Sequence, residues 1–278
     1  MAFIKHLQLL IGGLLLFGIS MGQKLEKIWE TDSIFPVPES VLYYSKTNQL
    51  FVSNIDGSPS AKDGKGSLAR LNADGSTSAA NWATGLNAPK GMGFYGNELY
   101  VADADVLRIY NISTAKQIDS VAITGAVFLN DVTVDDSGNV YISDSRTGTI
   151  HKVNAQRNQQ AFISGLKGPN GLLWHNSRLY YADRGQLWYR SAAGQVVKVA
   201  EGMDASTDGI VAVDGDAFVV SCWVGIVYHV AANGTLTTML DLKAEKVNTA
   251  DIGYNPSTKT VFIPTFFKNK VMAYRFLP

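Results

Sequence analysis

Six positions recur along the chain at a spacing of about 40 residues: Glu39, Lys90, Asn130, Asn170, Asp208 and Ala250. Each opens a near-copy of one segment, as in Lys90-Gly91-Met92-Gly93-Phe94, Asn170-Gly171-Leu172-Leu173-Trp174 and Asp208-Gly209-Ile210-Val211-Ala212. Residues that share one register of a repeat converge wherever the repeats converge. Two carboxylates (Glu39, Asp208) and two amide carbonyls (Asn130, Asn170) then form an oxygen set suited to a hard cation. The set supplies two charges and two neutral oxygens, with room left for water. Ca²⁺ tolerates such a mixed shell best, and Zn²⁺, Mg²⁺ and Mn²⁺ are the other divalent ions it accepts. The plainer reading is a water-filled channel whose polar lining has no chemistry.

The elements that must carry this column are strands. After each opening run comes a turn such as Asp136-Ser137-Gly138, then a second apolar run, such as Leu99–Ala102 or Val140–Ser143. A third follows, such as Val106–Tyr110 or Ile226–Val230. Short, aromatic and β-branched runs bounded by Gly, Asn, Asp and Ser are strands. Six repeats of three or four strands specify an all-β chain, a six-bladed β-propeller. A solenoid is the alternative, but it would need capped ends. Leu25–Glu30 is a lone strand ahead of the first repeat and is placed to complete the last blade. Gly57–Gly66 lengthens the first repeat and is expected to be a solvent-facing loop.

Composition bounds the rest. A formal net charge of +0 offers no basis for a nucleic-acid partner. Lys5, the apolar run Leu7–Ile19 and the small residues before Gly22 form an export signal over residues 1–22. A single domain over residues 23–278 is then expected in the periplasm or outside the cell, with no stable membrane association after cleavage. The alternative is an uncleaved anchor, for which the apolar run is short. The one cysteine, Cys222, excludes an intrachain disulfide. It occupies a recurrent slot that ends the second strand, filled elsewhere by Asn54, Asp103, Asp144, Asp183 and Thr265. Those aspartates are expected to bond the backbone of the turn that follows. His151 and His229 fall within third strands and read as structural. Residues 23–278 contain no His-Glu-x-x-His pair, no Cys-x-x-Cys and no Gly-x-Ser-x-Gly elbow.

These residues together give the chain a resemblance to the SMP-30/gluconolactonase/LRE-like six-bladed propellers, from about Glu39 to the end. The resemblance rests on Glu39, Asn130-Asp131, Asn170-Gly171 and Asp208-Gly209, in that order and at repeat spacing. It implies a metal held by Glu39, Asn170 and Asp208, with Asn130 contacting metal or substrate, and a lactone or ester substrate. Asp208 would be the catalytic proton acceptor. Asn130, Phe128 and Lys90 would contact a small-molecule substrate. The chain departs from the family pattern in three places. Glu39-Ser40-Val41 stands for Glu-Gly-Pro, Phe128 replaces an arginine, and Lys90 adds a cation to the column. Lys90 could instead pair with Glu39 in place of a metal. A second reading follows from that: a non-catalytic ligand- or protein-binding propeller with a channel-lining ion-pair network. Asp131 and Asp251, one residue off register, are expected to point into blade packing or turns. The residues do not specify oligomeric state.

Overall fold

The computed structural model describes residues 23–278; the expected export signal lies outside the described residues. Six four-stranded antiparallel sheets follow one another around a ring. The first five are sequential meanders that begin at Pro38–Tyr44, Pro89–Tyr95, Leu129–Val134, Pro169–His175 and Thr207–Asp214. The sixth joins Gly253–Asn255, Thr260–Pro264 and Val271–Leu277 to Lys24–Glu30, from the start of the chain. Leu25 pairs with Phe276 and Trp29 with Ala273, so first and last strands close the ring by hydrogen bonds. The solenoid alternative is thereby excluded. Each repeat has four strands, the upper of the two numbers read from the sequence.

The burial of each strand explains its composition. Second strands such as Gln49–Asn54 and Glu98–Asp103 are buried at every position after the first. They face a neighbouring blade on each side, so they read as unbroken apolar runs rather than alternating ones. Fourth strands lie at the rim, and Lys116–Ala122 is exposed at all but one position. The core is chiefly a set of clusters that fill the gaps between neighbouring blades. Phe51, Leu68 and Trp82 of the first blade meet Met92, Leu99 and Tyr110 of the second. Leu25, Val261 and Phe276 of the sixth meet Val219 and Val227 of the fifth. The inner strands run along the channel, and their starting residues ring one of its mouths.

Candidate functional site

Every column residue from Glu39 to Asp208 sits at an irregularity in its inner strand. The pairing register shifts between Pro38 and Ser40, Pro89 and Met92, Leu129 and Val132, Pro169 and Leu172, and Thr207 and Ile210. A bulge of this kind re-aims the side chain it contains. Serines of the second strand hold it open. Ser53 Oγ accepts from Ser40 N (3.0 Å), Ser143 Oγ from Asp131 N (2.9 Å) and Ser221 Oγ from Gly209 N (2.9 Å). The glycines that follow the column are steric requirements. A β-carbon at Gly91 would collide with Asp131, one at Gly171 with the Asp208 carbonyl, and one at Gly209 with Asp251. The inner strands approach each other too closely there for a side chain.

The end-of-strand aspartates position the same residues from the other side. Asp103 accepts from Asn87 N and Ala88 N (both 2.8 Å), just ahead of Lys90. Asp144 accepts from Val127 N (2.7 Å) and Phe128 N (3.2 Å), just ahead of Asn130. Asp183 accepts from Gly168 N (2.8 Å), just ahead of Asn170. This corrects the sequence expectation. The slot mainly anchors the loop entering the first strand, and only Asp144 also caps its following turn, through Arg146 N and Thr147 N. A carboxylate at that position can reach the entering loop because first and second strands are hydrogen-bonded neighbours. Cys222 makes the weaker version of the contact, its Sγ lying 3.6 Å from the Asp204 carbonyl. Burial pushes that thiol far above its ordinary range, which leaves it inert as a nucleophile.

Glu39, Lys90, Phe128, Asn130, Asn170 and Asp208 all line one cavity of about 380 Å³ at this mouth. Glu39 and Asp208 are 5% and 3% exposed. Glu39 Oε2, Asn170 Oδ1 and Asp208 Oδ1 are buried and have no hydrogen-bond partner. Three orphaned oxygens from three blades at one cavity contrast with the general rule that buried polar atoms are satisfied. Burial, then the charge of Asp208, raises the Glu39 pKa well above the carboxylate range. Burial, then Asp251, does the same for Asp208. Asn130 spends its amide nitrogen on Ser145 Oγ (3.0 Å), and Ser145 in turn donates to the Pro169 carbonyl (2.7 Å). That chain fixes the Asn130 amide. Among the described residues no three His, Cys, Asp or Glu side chains group as metal ligands. A cation here would depend on two carboxylates completed by amide oxygens.

Lys90 is 1% exposed, and burial lowers its pKa while Glu39 opposes that shift. Its ammonium donates to the Ala88 carbonyl (3.1 Å) and stands 4.3 Å from the centroid of the Phe128 ring. The expected pairing with Glu39 is not its hydrogen-bond solution: Glu39 Oε2 remains without a partner. Arg146 covers the same ring at 4.7 Å. Asp131 and Asp251 lie one layer deeper. Asp131 accepts from Leu172 N and Val132 N (both 2.6 Å), and Asp251 accepts from Ser40 Oγ. Both stitch blade to blade. They also line a second cavity, of about 490 Å³, at the far end of the inner strands. Burial pushes Asp251 up to about 7. That second cavity is otherwise bordered chiefly by apolar inner-strand residues, and its two carboxylates are already engaged.

Sequence reasoning missed the rim. Ile55, Ser145, Arg184, Trp223 and Phe266 line the cavity, and each directly follows the end-of-strand slot of its blade. The repeat held a second column, one step after the first slot. The loop 57–65 is solvent-facing as expected, only Pro59 and Ala61 being half-buried, yet it also makes specific contacts. Pro59 lines the cavity, Ser60 Oγ accepts from Arg146 (3.0 Å) and Lys62 pairs with Asp105 (2.8 Å). The insertion is tied to the second and third blades across the mouth.

No family model and no curated protein matches this chain. Solved structures do. A structural-genomics protein of unknown function from Bacteroides thetaiotaomicron aligns at a TM-score of 0.70 and 13% identity, covering 92% of this chain and 76% of the other. A structural-genomics target described as a putative gluconolactonase aligns at 0.67 and 14%, covering 92% and 93%. Virginiamycin B lyase from Staphylococcus aureus aligns at 0.65 and 12%, covering 92% and 100%. At these identities the likeness is one of fold. It agrees with the six-bladed propeller.

Proposed function

We propose that the chain is an exported, divalent-metal-dependent hydrolase of a lactone or related ester. The observation that carries the reading is the trio of unpartnered buried oxygens on Glu39, Asn170 and Asp208, facing one cavity. Buried acceptors without donors are costly unless a cation completes them. The donor set is oxygen only and carries two negative charges, which suits Ca²⁺ before softer ions. Glu39, Asn170 and Asp208 would hold the ion, with Asn130 beside them. A bound divalent cation supplies Lewis-acid polarisation of the carbonyl and acidifies a water.

The chain's own residues do the rest. Asp208 takes one proton from the attacking water, whose oxygen bonds to the carbonyl carbon. The acyl carbon–oxygen bond breaks, and that proton passes to the departing alkoxide. The product leaves as a carboxylate after losing its second proton to solvent. Asn130, fixed through Ser145, orients the substrate oxygen. Lys90 places a positive charge where negative charge accumulates, and Phe128 walls the mouth. Elemental analysis of purified protein, followed by an ester and lactone panel with and without chelator, tests the reading. Chelator-sensitive hydrolysis is expected.

One observation favours a second reading, a metal-free binding propeller: the buried ammonium of Lys90 shares the cavity with Glu39. Thermal melts of Lys90→Met separate the two. With a metal, removing the neighbouring cation tightens calcium binding and leaves the melt intact. Without one, the variant removes the positive charge that favours an ionised Glu39, and the melt falls.

A further inference from the structure

The mouth of the site is divided by polarity. Above the buried Glu39 and Asp208, on the side of the fifth, sixth and first blades, it is built mainly by Trp223, Phe266, Phe267, Ile55 and Pro59, with Ala205 and Ser206 beside them. On the side of the second, third and fourth blades it carries Lys90, Arg184 and Phe128, with Arg146 over the Phe128 ring. The three aromatics of the first side contact one another edge to face, Trp223 with Phe266 at 5.6 Å and Phe266 with Phe267 at 4.8 Å. Phe266 is buried against Ile55, Ala88 and Ala250, whereas Phe267 is 61% exposed and Trp223 36%.

The turn that presents Phe267 is built for that purpose. Phe266 has a left-handed backbone (φ 47°), and so has Asn269 (φ 58°). A bulky residue in that region is strained and persists only where its surroundings impose it. Here Thr265 N and Oγ1 both reach the Lys270 carbonyl (2.9 Å each), and Asn269 Oδ1 accepts from Val37 N (3.0 Å). The Phe266 side chain is pinned inside, so its neighbour is held out over the cavity. An exposed aromatic wall continuous with buried, unpartnered oxygens is a place for the apolar part of a ligand whose polar part sits deeper.

We infer that the substrate is amphipathic: a lactone or ester with an apolar alkyl or aryl arm, rather than a polyhydroxylated sugar lactone. The arm lies on Trp223 and Phe267. The carbonyl end, which becomes a carboxylate, lies toward Lys90, Arg146 and Arg184. This rests on the hydrolase reading for the reaction but not for the arm's binding surface.

The test therefore has two readouts. Calorimetric titration compares 4-hydroxynonanoate, the ring-opened form of γ-nonalactone, with gluconate, in calcium. Turnover compares γ-nonalactone, γ-butyrolactone and gluconolactone. The nine-carbon ligand should bind at least about tenfold more tightly than gluconate and be turned over with a correspondingly higher kcat/KM. Phe267→Ala and Trp223→Ala, both surface changes checked by thermal melt, should each erase most of that preference. Equal binding, tighter gluconate binding, or a preference that survives both substitutions overturns the inference. Gluconolactone as the best-hydrolysed compound also overturns it, while leaving the hydrolase reading standing. Selective binding of hydroxynonanoate without turnover of any lactone keeps the aromatic subsite and removes the hydrolase reading.

Discussion

Among single residues, Asp208 carries most of the proposed chemistry. It is buried, one of its oxygens has no partner, and burial holds its pKa well above the carboxylate range. Asp208→Asn keeps a coordinating oxygen but cannot accept a proton near neutral pH. Lactone hydrolysis should fall by about 100-fold or more, with calcium affinity changed far less. Paired kinetics and calorimetry on the variant check this. A loss of activity fully explained by lost calcium would leave Asp208 only a ligand. The residue scale also fixes a pH dependence. Glu39 and Asp208 both have folded pKa values raised above their unfolded ones. Their raised pKa values cost nothing below the unfolded carboxylate range, where both groups are protonated in either state. The shifts destabilise the metal-free fold as pH rises toward the folded values. A cation relieves that cost, so its stabilising effect must grow with pH.

At the scale of elements, the inner strand with its bulge is the working unit. The bulge aims the column residue, a serine or aspartate of the neighbouring strand holds the turn, and a glycine lets the next blade close in. Gly171→Ala tests the unit without changing any ligand side chain. Its methyl group would collide with the Asp208 carbonyl. Expected are a loss of about 1–3 kcal/mol in stability and a weakened calcium response. Unfolding curves with and without calcium measure both.

The column and the strand grammar were legible in the sequence because repetition aligns residues without knowledge of contacts. The bulges were not, since a register shift between hydrogen-bonded strands has no compositional mark. Nor was the direction of Asp103, Asp144 and Asp183. Each bonds a loop about 16 residues upstream, a partner that only sheet pairing brings near. The rim column of Ser145, Arg184, Trp223 and Phe266 was readable in principle. Its residue types differ from blade to blade, so no repeated residue marks it.

At the scale of the whole molecule, the ring must close for the column to converge. Lys24–Glu30 does this by pairing with Val271–Leu277, and Leu25 enters the core shared by the fifth and sixth blades. Deleting Leu25–Glu30 should abolish the cooperative melt or the soluble yield, because it bares a sheet edge and opens that core. A truncated chain that melts like the parent would refute closure as the source of stability. The central claim, that one divalent cation completes the oxygens of Glu39, Asn170 and Asp208, is tested most directly by thermal unfolding of chelator-stripped protein against calcium at about pH 5 and about pH 8. A calcium-dependent rise in Tm is expected, corresponding to about 2.7 kcal/mol at a free calcium near 100 times Kd. That rise should be larger at the higher pH and absent from a Glu39→Ala variant. A melt indifferent to calcium and chelator at both pH values would contradict it.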